Sequence, residues 1–382
     1  MLFKTVTTIL LMLTSATGWG SEGKSPAGCS GCHAEISKTY AGTSMARASG
    51  EAKDGVTTGE FTHRQSGMQY RVSVENGRVW MDFERPGDAQ VKGRREFLYF
   101  IGSNKKGRTY LFSQQGFLFE APINWYSQEG RWNMTPAYDN AKEAPMNLPA
   151  HVECMNCHAS GVQAPEPGTA NKYAARPFTS GGISCERCHG DGAEHAASGK
   201  GAIVNPAKLA PARRDDVCME CHFEGSVAIK QPGKNIYEFK PGQRLEDYLH
   251  YFVLADGKND GTRALSQFEA LAMSACKRKS GDKMWCGSCH DPHFSPAKQE
   301  AAEYYRGKCL SCHGAAFGER HHAENRNCVE CHMPALPSGQ VAHTEATDHR
   351  ILKRAGAAVL LSGNTTEPTI ARFPPTSEKD DA

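Results

Sequence analysis

The sequence lacks several features that would assign it to a common class. Its 44 Lys and Arg against 42 Asp and Glu leave a formal net charge of +2, so no strong field directs it toward nucleic acid. No segment beyond the first twenty residues is apolar for the ~20 residues that a membrane span needs. Its 15 cysteines in 382 residues are too dilute for a disulfide scaffold, which runs above roughly 8–10%. The odd count also excludes complete pairing within one chain.

The N-terminus has the pattern of a secretory signal peptide. Lys4 precedes an apolar run from Ile9 to Leu13, and small residues follow. The run is shorter than the ~20 residues that a membrane anchor requires. We therefore predict that residues 1–20 are removed, that the mature chain has no transmembrane segment, and that the protein is periplasmic or secreted.

Fourteen of the fifteen cysteines fall into seven C-x-x-C-H motifs, numbered here in chain order. They are motif 1 (Cys29, Cys32, His33), motif 2 (Cys154, Cys157, His158), motif 3 (Cys185, Cys188, His189), motif 4 (Cys218, Cys221, His222), motif 5 (Cys286, Cys289, His290), motif 6 (Cys309, Cys312, His313) and motif 7 (Cys328, Cys331, His332). Cys276 is left over, either as a free thiol or as an axial thiolate, a dimer disulfide or a redox site.

Three chemistries use C-x-x-C pairs, and the repeated histidine decides between them. Zinc sites do not require His directly after the second cysteine. Redox dithiols normally occur once in a thioredoxin-like context. C-x-x-C-H is the attachment sequence of c-type heme, in which the two thiols bond to the porphyrin and the histidine ligates iron. We predict seven covalently attached hemes c.

Nine further histidines are candidates for the second axial ligands. We predict that they include His63, His195, His293, His322, His343 and His349, with His321 as the alternative to His322. Four of them, His195, His293, His343 and His349, follow a motif too closely to reach over their own porphyrin, so each should ligate a neighbouring heme. His151 and His250 are weaker candidates, and Met45, Met134 and Met333 are alternative ligands that would raise a heme's potential.

The motif spacing predicts an α+β protein in which short helices and coil pack around hemes beside a β-rich insert. Alternating residues around Asn76-Gly77 predict a hairpin in that insert. The expected segments are a signal peptide (1–20), an N-terminal single-heme segment (21–60), the β-rich insert (61–140), a three-heme cluster (141–234), a helical bridge (235–275), a second three-heme cluster (276–352) and a flexible tail (353–382). Within the bridge, we expect helices over 244–254 and 264–278.

The chain resembles the multiheme cytochromes c grouped with hydroxylamine oxidoreductase, pentaheme nitrite reductase and their tetraheme electron acceptor. GISCERCHGDGAEH and NCVECHMP followed by HTEATDHRI carry this resemblance, and CGSCHDPH…CLSCH looks like the doubled CXXCH motif. The segments between the motifs look like a bacterial multiheme family often fused to tetratricopeptide repeats, which are absent here. The resemblance covers roughly residues 27–352. It implies that His63, His195, His293, His343 and His349 are ligands.

These observations predict an electron carrier rather than an enzyme. No motif ends in Lys, the variant found in specialised catalytic hemes, and hemes with two histidine ligands have no open iron. The redox partners would be a quinol-linked donor or other cytochromes. No nucleic-acid partner is expected, and the oligomeric state is left open. The alternatives are an oxidoreductase acting on a small nitrogen or sulfur compound at one five-coordinate heme, and a subunit of an extracellular cytochrome filament.

Overall fold

The computed structural model describes residues 28–138, 140–143, 146–254, 266–321, 327–335, 347–353 and 370–373. The predicted signal peptide lies outside these residues. Short helices and antiparallel sheets share the described chain, which confirms the expected α+β class. In these ranges no helix has the length and apolar character needed to cross a membrane.

Residues 49–134 form two antiparallel sheets. The strands are β1 (Ser49–Glu51), β2 (Gly59–His63), β3 (Met68–Glu75), β4 (Arg78–Arg85), β5 (Asp88–Phe97), β6 (Tyr99–Ile101), β7 (Gly107–Gln114), β8 (Phe117–Tyr126) and β9 (Arg131–Met134). One sheet has the order β2-β3-β4-β5 and the other β1-β6-β7-β8-β9. The strands therefore begin at Ser49, before the boundary at 61 expected for the insert.

The two sheets share one hydrophobic core. Met68 and Tyr70 from β3 pack in the same cluster as Tyr110 and Phe112 from β7, and all four side chains are buried. Buried and exposed residues alternate at the start of β3, as expected for a strand with one face on a core. Asn76 and Gly77 both have positive φ, 51° and 74°, and join β3 to β4 as a two-residue hairpin, which confirms the hairpin prediction.

The remaining described residues form short helices and two small sheets. The helices are α1 (Cys29–Cys32), α2 (Ala34–Ala41), α3 (Val152–His158), α4 (Glu186–His189), α5 (Ala193–Ser198), α6 (Pro211–His222), α7 (Gln267–Met273), α8 (Ala275–Ser280), α9 (Ala301–His313), α10 (Ala315–Arg320) and α11 (Cys328–His332). Strands β10 (Ala159–Val162) and β11 (Phe178–Gly181) pair with each other. Single 3₁₀ turns cover Pro136–Tyr138, Pro206–Lys208, Ile236–Glu238, Leu245–Asp247, Gly281–Lys283 and Cys286–Ser288.

The prediction of a helix over 244–254 is wrong. A 3₁₀ turn at Leu245–Asp247 leads into strand β13 (Leu249–Leu254), which pairs with β12 (Val227–Lys230) on one side. Leu249 and Tyr251 are buried on one face, and the aromatic and branched residues of this run favour a strand once partners exist. The second expected helix is present as α7 and α8, which are separated at Ser274.

Part of the predicted flexible tail is ordered. Strand β14 (Ile370–Phe373) pairs with β13 and completes a three-stranded sheet of order β12-β13-β14. The Phe373 ring lies 4.8 Å from that of Phe223, centre to centre. This aromatic contact and the backbone pairing attach residues 370–373 to the rest of the chain. The sequence did not predict this strand, because the segment has no clear hydrophobic period. Residues 354–369 and 374–382 lie outside the described residues.

Candidate functional site

Each C-x-x-C-H motif lies on a short helix or turn that brings its histidine back toward the first cysteine. The backbone N–H of His33 donates to the carbonyl of Cys29 at 2.8 Å, and His290 does the same with Cys286 at 2.9 Å. All fifteen cysteines lie in the described part of the chain, and none forms a disulfide. Every motif therefore presents two free thiols and one imidazole together, as covalent heme attachment requires.

Four motif histidines face a second histidine from another segment. The ring centres are 6.4 Å apart for His33 and His195, 5.8 Å for His189 and His293, 6.1 Å for His290 and His349, and 5.8 Å for His332 and His321. Metal–imidazole bonds of about 2 Å on each side of one ion put the ring centres roughly 6 Å apart. The four pairs fit an iron held between two imidazoles.

Backbone carbonyls orient three of these imidazoles. Nδ1 of His189 lies 2.8 Å from the carbonyl of Val204, Nδ1 of His332 lies 2.6 Å from that of Leu352, and Nδ1 of His349 lies 2.7 Å from that of Thr347. A carbonyl only accepts hydrogen bonds, so Nδ1 carries the proton and Nε2 keeps its lone pair. This arrangement fixes the tautomer of histidines that bind metal through Nε2.

Burial keeps several of the histidines neutral. It lowers the pKa of His290 to about 4, with His349, His222 and Lys105 acting in the same direction. Burial also lowers the pKa of His349 and that of His222. Neutral imidazole is the form that binds a metal ion, so these side chains are ready to ligate at neutral pH.

At the last motif the structure describes one of the two predicted alternatives. His321, directly after α10, stands opposite His332, whereas the position of His322 stays a prediction. His322 and His343 lie outside the described residues. His63 ends β2 with Nδ1 2.8 Å from the Ser66 hydroxyl and its ring beside Phe61, so its role as a ligand stays a prediction. Nε2 of His250, a weaker candidate, lies 2.6 Å from the Gln231 amide.

The surroundings of the motifs fit a bulky apolar group. Helices α1, α4, α5, α8 and α11 bury none of their own residues. An open, mainly apolar pocket lies between motifs 6 and 7, lined by Cys309, His313, Phe317, Cys328 and His332 among others. In the described residues, no three or more His, Cys, Asp or Glu side chains are grouped as a zinc site would need.

Contacts between thiols give the neighbours of each motif. The thiols of Cys29 and Cys185, of Cys157 and Cys221, of Cys218 and Cys286, and of Cys309 and Cys328 are in hydrogen-bonding contact. Cys188 lies near Cys221, and Cys289 lies near Cys312. The motifs thus follow one another in the order 1, 3, 4, 5, 6 and 7, with motif 2 beside motif 4.

Two groups of buried charged side chains join these motifs, and sequence reasoning missed both. Asn156, Arg187 and Glu220 meet between motifs 2, 3 and 4. Near motifs 4 and 5, Asp215 pairs with Arg214 and Lys277. The guanidinium of Arg214 lies 4.9 Å above the ring centre of Trp285, directly before Cys286. The spacing of the cysteines carries no signal for these contacts, because they join motifs far apart in sequence.

Comparisons with known proteins agree with this geometry. Residues 126–190, which include motifs 2 and 3, match the family described as cytochrome c554 and c-prime. Residues 278–318, which include motifs 5 and 6, match the doubled CXXCH motif. The fold is similar to the crystal structure of the outer cell wall cytochrome OcwA, with a TM-score of 0.55 and 16% identity over 85% of this chain and 78% of that one. No curated protein matches.

Proposed function

We propose that this chain is a multiheme cytochrome c that carries seven hemes at its C-x-x-C-H motifs and transfers electrons along them outside the cytoplasm. The observation that supports this best is the set of four histidine pairs with ring centres about 6 Å apart. An iron with two histidine ligands has no site for substrate, so its chemistry is electron transfer.

The pairs also support a ligand assignment. His195, His293, His349 and His321 would be the second ligands of the hemes at motifs 1, 3, 5 and 7. Three motif histidines, His158, His222 and His313, then draw their second ligands from the remaining predicted candidates, His63, His322 and His343. In each of the four pairs the second ligand comes from a segment outside the motif that it completes, which would hold neighbouring hemes at fixed distances.

The contacts between motifs support one main path for electrons. It runs through the hemes at motifs 1, 3, 4, 5, 6 and 7, with the heme at motif 2 as a side branch at motif 4. Under this proposal, the ends of the path, at motifs 1 and 7, are where a quinol-linked donor or another cytochrome would deliver or receive electrons.

Intact mass spectrometry and electron paramagnetic resonance test this proposal together. We expect seven heme additions and wholly low-spin iron. His195→Gln should convert one heme to high spin, because it removes the ligand opposite His33, while the exposed His151→Gln should change nothing. A mature chain without thioether-bonded heme would overturn the proposal. High-spin iron in the unmodified protein that responds to nitrite or hydroxylamine would identify an enzyme instead, and long polymers in electron micrographs would identify a filament subunit.

The proposed location depends on residues 1–20. A signal peptide there would export the chain to the compartment in which we expect it to work. N-terminal sequencing of the mature protein should therefore begin at about residue 21. A chain that is recovered with its original N-terminus from the cytoplasm would contradict the proposed periplasmic or secreted location.

A further inference from the structure

The second variable residue of three motifs points into a shared contact between them. In motifs 2, 3 and 4 this residue is Asn156, Arg187 and Glu220, and each directly precedes the second cysteine. Asn156 is 1% exposed and Glu220 is 4% exposed, while the Arg187 side chain is 13% exposed. Three polar side chains from three separate attachment turns are thus removed from water together.

Their hydrogen bonds close a triangle. Nη2 of Arg187 donates to Oε1 of Glu220 at 2.5 Å, to Oδ1 of Asn156 at 3.2 Å and to the Asn156 carbonyl at 3.0 Å. Nδ2 of Asn156 donates to the same Oε1 of Glu220 at 3.2 Å. Each side chain therefore contacts both others, and the three attachment turns are joined by one network.

Motifs 1, 5 and 6 do not use this position in the same way. In motif 5, Ser288 accepts from the backbone N–H of Trp285 in its own turn, and in motif 6, Ser311 donates to the carbonyl of Lys308 in its own helix. Motif 1 has Gly31 there. Motifs 2, 3 and 4, where the proposed electron path branches, thus differ from these motifs because their second variable residues contact one another.

We propose that Asn156, Arg187 and Glu220 form a charge-balanced clamp that positions the hemes at motifs 2, 3 and 4 and sets their reduction potentials. This inference rests on the proposed heme attachment and adds a positioning and tuning role for residues that bind no iron. The three side chains stand one residue from Cys157, Cys188 and Cys221, and the Cys157 sulfur lies 3.9 Å from the Glu220 carbonyl. The clamp is therefore next to three attachment points at once.

The charges predict opposite effects for the two charged partners. Reduction adds an electron to a heme, so a nearby uncompensated positive charge favours the reduced form and a negative charge opposes it. Buried charges are screened less than exposed ones, so the effect reaches the neighbouring hemes. As long as Arg187 and Glu220 are paired, their effects largely cancel.

The test is a spectroscopic redox titration of the heme-loaded protein and its variants. Glu220→Gln leaves Arg187 uncompensated and should raise the potentials of no more than three of the seven components. Arg187→Met leaves Glu220 uncompensated and should lower the same components. The double variant Arg187→Met/Glu220→Gln should return them toward the original values. Glu96→Gln, which removes the exposed partner of Arg78 in the β sheet, is the matched control and should shift none.

The possible outcomes distinguish failure of the proposed clamp from failure of the heptaheme proposal on which it rests. Shifts in the same direction from both single variants, or no shift with full heme content, overturn the clamp and leave the heptaheme proposal standing. An unmodified protein without thioether-bonded hemes overturns the heptaheme proposal itself. If a single variant loses hemes, the double variant decides: recovery of full heme content supports the balanced clamp, and the same loss overturns it.

Discussion

The two regions of this molecule are held together in different ways. Residues 49–134 form two sheets around a continuous apolar core that includes Met81, Tyr110 and Phe112, all fully buried. Around the motifs, five helices bury none of their own residues, and the buried side chains include charged groups such as Arg214, Asp215 and Glu220. The first region has one continuous core, whereas the second combines an apolar cluster around Phe223, Leu245 and Tyr251 with helices that only the attached groups would cover.

Production of the chain without heme gives the strongest test of this difference between the two regions. The chain produced in a host without cytochrome maturation should lose hydrogen-exchange protection in helices α1, α4, α5, α8 and α11, because the groups that would cover them are missing. Residues 49–134 should keep their protection, since their core is made of side chains alone. Peptide-resolved hydrogen exchange on the heme-loaded and heme-free chains measures this, and equal loss in both regions would show that the sheets also depend on heme.

A substitution that leaves a cavity in the core of residues 49–134 should have the next largest effect, on the free energy of unfolding. Phe112→Ala removes a ring that is fully buried in the cluster shared by both sheets. Such changes cost about 3–5 kcal/mol of unfolding free energy. Chemical denaturation followed by tryptophan fluorescence should show this loss for residues 49–134, while the reduction potentials stay unchanged. Val74→Ala, at a side chain that is 46% exposed, is the control, and a comparable loss there would argue against a distinct core.

Glu120 makes the β region sensitive to pH. It lies on β8 near Cys154 of motif 2, and burial raises its pKa to about 7. Because the folded-state pKa lies above the unfolded value, the folded state binds more protons between about pH 4.5 and pH 7, and stability falls as pH rises through this window. Glu120→Gln should remove up to about 3 kcal/mol of this pH dependence.

Denaturation of the two proteins from pH 4 to pH 8 measures this effect. The wild-type unfolding free energy should decline relative to that of Glu120→Gln until about pH 7 and then run parallel to it. The exposed Glu60→Gln variant serves as the control and should follow the wild type throughout. Parallel curves for Glu120→Gln and wild type over the whole range would mean that Glu120 is solvated in the native protein.

Local features of the sequence were the ones that predicted structure well. Asn76-Gly77 gave the hairpin because positive φ at two successive positions is a local requirement, and the motifs identified heme attachment because the chemistry needs that spacing. Strand β13 was missed because its partners, β12 and β14, approach from either side, and Tyr251 pairs with Phe373. Only the folded chain brings them together.

The choice of the second histidine ligands also depends on contacts that the sequence does not show. The sequence named His321 or His322 as a candidate ligand, but which of the two stands opposite His332 depends on where α10 ends, at Arg320. The contact of Asn156, Arg187 and Glu220 had no sequence signal at all, because C-x-x-C-H leaves the variable positions free and each partner is more than 30 residues from the next.

The smallest effect should come from an ion pair on the β sheet. Arg78 and Glu96 face each other across β4 and β5, and the Arg78 guanidinium lies 4.8 Å above the ring centre of Trp80. The Arg78 side chain is 57% exposed, so water and salt screen the pair, and exposed pairs add little to stability. Glu96→Gln should leave both the denaturation midpoint and the heme potentials unchanged. A shift as large as that of Glu220→Gln would show that burial is not what separates the two pairs, and the contrast between the regions would fail at that point.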